Sequence, residues 1–118
     1  MHHKRVSLLV MAWLVAGGAQ AAFLDGNQLL EYCTPRGGYG EGACDGYVAG
    51  VVDSRLSRQD KHGQPAAYCL PETVTLGQIV WLVTRYLHEH PQELHFTADS
   101  TVDTALQKAF PCAPQTAE

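Results

Sequence analysis

His88-Glu89-His90, with His95 close behind, is the densest group of metal-ligand side chains in the sequence, so it is the first place to look for chemistry. A helix that holds zinc places two histidines four residues apart, as in H-E-x-x-H, so that both reach one ion. Here the two are only two residues apart and point to different helix faces. A solvated helix end is the better account, because imidazole suits the negative end of the macrodipole. Asp25, Asp45 and Asp53 are the remaining candidates for paired acids. Asp25 stands where a helix cap is needed, however, and Asp45 and Asp53 are about two helical turns apart, which suits caps or surface positions. Ser54 has no G-x-S-x-G elbow to expose it as a nucleophile. The glycine-rich stretch 37–42 has no strand before it and no Lys-Ser/Thr pair after it, so it cradles no phosphate. Trp81, Tyr86 and Tyr47 fall at helical core spacing and are expected inside. No catalytic set, metal or cofactor is expected from these residues, and the sequence reads as a non-enzyme.

Cys33, Cys44, Cys69 and Cys112 are spaced far more widely than the C-x-x-C pairs of zinc sites. An even number of cysteines in an oxidising compartment is read as two disulfides, leaving no free thiol to act as a nucleophile. The compartment follows from the N-terminus. Met1-His-His-Lys-Arg is followed by an apolar run from Val6 to Ala16, then by Gly17, Gly18 and Ala19-Gln20-Ala21-Ala22, the layout of a secretory signal peptide. Cleavage is expected after Ala21 or Ala22, giving a signal over residues 1–22 and one mature domain over residues 23–118. The run is shorter than the roughly 20 residues that span a bilayer, so no membrane attachment is expected after cleavage. No cysteine follows the cleavage site directly, which disfavours a lipid anchor. Loss of Lys4 and Arg5 moves the net charge from −4 to about −6, and nucleic-acid binding is excluded on that balance. An acidic surface would steer a basic protein partner.

The elements that must position these residues are all helices. Asp25-Gly-Asn-Gln28 is a capping box, and Leu29, Leu30 and Cys33 share the face that follows, so a first helix is expected over about 26–33. Thr34 to Gly42 is turn chemistry. Cys44, Tyr47, Val48, Val51, Val52 and Leu56 recur at three- and four-residue steps, so a second helix is expected from Ala43 to about Leu56. Gly46 and Gly50, one turn apart, would let another helix pack tightly there. Ser57 to Pro65 has no apolar period and reads as a solvated loop. Thr75-Leu-Gly-Gln78 is a second capping box, opening a third helix whose stripe comprises Leu76, Ile79, Val80, Leu82, Val83, Tyr86 and Leu87 and which ends by His90-Pro91. A last helix from about Ser100 to Phe110 buries Val102, Leu106, Ala109 and Phe110, and Pro111 stops it. The fold class is therefore all-α, a small bundle of about four to five helices held by two disulfides. Four cysteines allow three pairings, and the helix order favours Cys33–Cys44 and Cys69–Cys112, because antiparallel neighbours bring each pair side by side.

Three segments taken together carry a resemblance: Leu29-Leu30-Glu31-Tyr32-Cys33; Cys44-Asp45-Gly46-Tyr47-Val48-Ala49-Gly50-Val51; and Cys69-Leu70-Pro71-Glu72 through Thr75-Leu76-Gly77-Gln78. With Tyr86-Leu87, His90-Pro91, Leu94-His95 and Ala105-Leu106 through Ala109-Phe110-Pro111-Cys112, the chain resembles the Rap/Tai immunity proteins. That resemblance implies a periplasmic, all-helical domain in a Gram-negative bacterium that neutralises a toxin, a peptidoglycan amidase delivered by a type VI secretion system. It implies an amidase inhibitor acting by occlusion of the substrate cleft, often as a homodimer whose protruding loop plugs the cleft. The loop from Ser57 to Pro65 is the first choice here, with Arg58, Gln59, Asp60, Lys61, His62 and Gln64 as its partner-binding residues. The turn from Gly37 to Glu41 is second, and a basic cluster of Arg55, Arg58 and Lys61 departs from the generic pattern. The competing class is a periplasmic envelope or stress protein, a chaperone-like binding module with no toxin, since a scaffold does not fix a function.

Overall fold

The computed structural model describes residues 22–34 and 39–113. Ala21 and most of the expected signal segment lie outside them, as do residues 35–38, and Ala22 is exposed. Four α-helices follow in order, α1 (Gly26–Cys33), α2 (Tyr39–His62), α3 (Leu76–Glu89) and α4 (Ala98–Ala109), with a 3₁₀ turn at Pro91–Glu93. Among the described residues extended pairing is confined to one isolated bridge, Asp25 with Thr97. No described helix is long and apolar enough to cross a membrane.

Both expected capping boxes are present. The Asp25 carboxylate accepts from the Gln28 backbone N–H at 2.9 Å and Gln28 Oε1 accepts from the Asp25 N–H at 3.0 Å. Thr75 and Gln78 repeat the exchange at 3.2 and 2.9 Å, so each helix starts with two of its orphan donors satisfied. The start of α1 is also docked on the turn before α4: Gly26 and Asn27 donate backbone hydrogen bonds to Phe96 and Leu94 at 3.0 and 3.1 Å. Gly26 is required by that approach, because a Cβ there would lie 2.9 Å from the Leu94 backbone.

The core is drawn from all four helices, with Leu29, Val48, Val83, Leu87, Val102 and Leu106 fully buried. Two covalent ties frame it. Cys33 is bonded to Cys44, joining α1 to α2, and Cys69 is bonded to Cys112, tying the segment before α3 to the end of α4. The backbone adds a hydrogen bond from Cys69 N–H to the Phe110 carbonyl at 2.9 Å.

Several expectations change. α2 begins four residues earlier than Ala43 and runs six residues past Leu56, to His62. Its polar last turns need no apolar stripe, because extending an established helix costs far less than nucleating one. Gly63, in the left-handed conformation at φ 60°, ends it and donates its N–H to the Gln59 carbonyl at 3.1 Å. Gly46 and Gly50 are not at a tight helix contact, since a Cβ on either would meet nothing within 4 Å. Trp81 is not core; it is 59% exposed, and Leu56 and Leu76 are exposed as well. The apolar stripe of α3 wraps too far around the helix for one neighbouring layer to cover, and Ile79, Val83, Tyr86 and Leu87 take the buried side. Ala109 is exposed and Phe110 only half-buried at the end of α4.

Candidate partner-binding site

The residues expected to touch a partner form the end of α2 and the first residues beyond it. Arg58, Asp60, Lys61, His62 and Gln64 are exposed and Gln59 is half-buried. The expected loop Ser57–Pro65 is thus helical through His62, which changes the presentation: Arg58, Lys61 and His62, at steps of three and four, occupy one side of the helix. Asp60 sits away from that row. Neither Arg58 nor Lys61 is in an ion pair among the described residues. Of the second-choice turn Gly37–Glu41, Gly37 and Gly38 lie outside the described residues, and the part from Tyr39 onward is the first turn of α2.

Arg55 does not belong with that free basic group. Its guanidinium donates from Nε to both carboxylate oxygens of Asp103, at 3.1 and 2.9 Å, and from Nη2 to Asp99 at 3.1 Å. The ion pairs pin α2 to α4, and the hydrogen bond to Asp103 raises the Arg55 pKa above its ordinary value. Burial pushes the Asp99 carboxyl up, but hydrogen bonds with Thr97, Arg55 and the Ser100 backbone outweigh it and hold the group below its ordinary value. Beside this clamp lies Tyr68, whose buried hydroxyl has no hydrogen-bond partner among the described residues. Burial, with Asp103 adding to it, pushes the Tyr68 phenol up to about 12.

The histidines are dispersed. His88 and His95 are exposed, while the His90 ring stacks on Tyr86 with centroids 3.9 Å apart and its Nδ1 lies 2.9 Å from the Tyr86 carbonyl oxygen. The Tyr86 hydroxyl in turn donates to Glu93 and accepts from Lys108 Nζ at 3.2 Å. Tyr86 and His90 therefore join α3, the 3₁₀ turn and α4, a packing role. Among the described residues no three His, Cys, Asp or Glu side chains are grouped to hold a metal. Asp45 and Asp53 are exposed on α2, and Asp25 is occupied as a cap.

Residue-by-residue reading missed a surface beside the α2 end. A groove of about 670 Å³ runs between α2 and the segment leading into α3, with Leu56, Gln59, Tyr68, Leu70, Val74 and Leu76 in its walls. A second, of about 680 Å³, carries Trp81, Gln78 and Phe110, and the two share Pro71 and Val74. The signal available was the excess width of the α3 apolar stripe, which one helix face cannot bury.

No curated protein and no solved structure shows a significant similarity to the chain. The family model described as Rap1a immunity proteins matches residues 25–112, a span that holds all four helices, both disulfides and both capping boxes. The chain belongs to the Rap1a immunity protein family.

Proposed function

We propose that the protein is a periplasmic immunity protein that binds a cell-wall amidase delivered by a type VI secretion system and occludes its substrate cleft. The observation that carries this reading is the family match across residues 25–112. In this reading residues 1–22 are a signal peptide removed on export and residues 23–118 are the working domain. The two disulfides suit an oxidising compartment. The contact is made by the α2 end, where Arg58, Lys61 and His62 stand on a helix that is clamped to the bundle at Arg55. A short rigid helical end loses less entropy on binding than a loop that must order at that moment. No group of the protein needs to react; inhibition is steric.

The test is periplasmic co-expression with candidate cell-wall amidases, beginning with any encoded near this gene. Rescue from lysis, with a complex that survives size exclusion, is expected. Lysis without a complex, for a properly oxidised protein, overturns the reading and favours an envelope protein with no toxin.

A further inference from the structure

The three exposed large hydrophobic residues of the bundle's α2–α3 side, Leu56, Leu76 and Trp81, are 40%, 41% and 59% exposed. They do not stand singly. Leu56 and Leu76 wall one groove, Trp81 the other, and the shared Pro71 and Val74 make the surface continuous. Exposed apolar side chains gathered on one face, rather than scattered singly, suit an interaction surface. The surface is also built to hold its shape. The segment between Cys69 and Thr75 is fixed at one end by the bond to Cys112 and at the other by the Thr75–Gln78 capping box. Arg85 lies 5.4 Å from the Trp81 ring and is itself paired with Glu89 at 2.8 Å, so the indole is propped from one side. A rigid aromatic anchor beside a groove is the usual form of an interface hot spot.

Charge states what covers it. Asp53 and Glu72 line the groove that Leu56 and Leu76 wall, and neither is in an ion pair among the described residues. Gln59 lines the same groove, which therefore runs directly into the α2 end that bears Arg58 and Lys61. We infer that this acidic-rimmed apolar surface is the anchor for the same amidase whose cleft the α2 end enters, and that the amidase meets it with apolar side chains flanked by lysine or arginine. The inference rests on the proposed function. It divides the contact into a polar end that blocks the cleft and an apolar anchor that supplies the residence time, since affinity differences among variants of one interface reside chiefly in dissociation.

The experiment measures binding of the purified, oxidised chain to a candidate cell-wall amidase, the one whose toxicity it relieves on co-expression, by calorimetry and by dissociation kinetics. Trp81→Ala is expected to weaken binding by about 30-fold, mostly through faster dissociation. Glu72→Lys is expected to slow association by about threefold at low salt, an effect that fades as salt is added. Gln107→Ala, on the exposed side of α4, serves as the unaffected control. Wild type that binds while both variants bind within twofold of it overturns the anchor and leaves the immunity reading intact. Wild type that fails to bind overturns both. A wild-type dimer that Trp81→Ala converts to monomer with amidase affinity unchanged assigns the face to a second copy of the chain and overturns the anchor. Because Trp81 is largely exposed, its truncation leaves the fold in place, and the surface charge swap is a second, independent arm.

Discussion

Arg55 and Arg58 stand one turn apart on α2 in opposite surroundings. Arg55 reaches across to α4 and is bound by Asp103 and Asp99, with its side chain only 22% exposed. Arg58 is exposed and in no ion pair among the described residues. The difference lies in what stands opposite: Arg55 meets Asp99 and Asp103 of α4, and no acidic side chain among the described residues pairs with Arg58. Identical chemistry one turn apart is thus divided into a clamp and an exposed side chain by what lies opposite, and the proposed function makes the exposed one the contact. Four experiments break or sharpen that division.

The largest effect is expected from opening the clamped side at its covalent tie. Replacing Cys69 and Cys112 by serine releases a closed loop with a sequence separation of 43, and chain-entropy arguments put the loss at about 4 kcal/mol. The Cys33–Cys44 bond closes a loop with a separation of 11, for which the same relation gives about 3 kcal/mol. Urea denaturation of the two double variants measures both, and the order of the two losses is the prediction. Arg55→Ala comes next, at about 2 kcal/mol, because it leaves the half-buried Asp99 and Asp103 facing each other without their donor. Its pH dependence carries a sign. The Asp99 carboxyl is held below its ordinary value, so its contribution is present above the unfolded carboxylate pKa and is lost as pH falls through the folded one. The gap between wild type and Arg55→Ala should therefore narrow below about pH 4, as measured by urea midpoints along an acid series.

Tyr68→Phe should run the other way. Removing a buried hydroxyl that has no partner among the described residues is expected to stabilise the protein by up to about 1 kcal/mol. The phenol is raised from 10.0 to about 12, so wild type keeps this group's contribution below pH 10 and loses it as pH rises toward the folded value. Urea midpoints at about pH 11 should fall in wild type more than in the phenylalanine variant. The smallest effect on stability belongs to Arg58→Ala with Lys61→Ala, within about 0.5 kcal/mol of wild type. The same pair should cost amidase binding at least tenfold, read by calorimetry, so a large loss of stability with no loss of binding would erase the distinction between clamp and contact.

How much of this was legible in the sequence depended on the range of the interaction involved. Both capping boxes and the start of α1 and α3 were readable, because each needs only a side chain and a backbone N–H three residues away. Cys33 and Cys44 lie on either side of the stretch of turn residues in the sequence, and the structure bonds them, with Cys44 in the second turn of α2. The far end of α2 was not readable, because helical turns that are mostly exposed need no apolar period. The grooves beside Trp81 were not readable either. Periodicity shows that α3 has an apolar face, but not how much of it a neighbour covers.

By itself, the sequence determined an all-α domain, the starts of α1 and α3 and the family. These follow from local spacing, which no later folding step alters. The tertiary structure alone decided that Arg55 is spent on Asp99 and Asp103, 44 and 48 residues distant, while Arg58 is left exposed. It alone left Leu56, Leu76 and Trp81 uncovered and placed them around one surface. Each of these depends on which elements pack against which, and partners tens of residues apart leave no periodic trace in the chain.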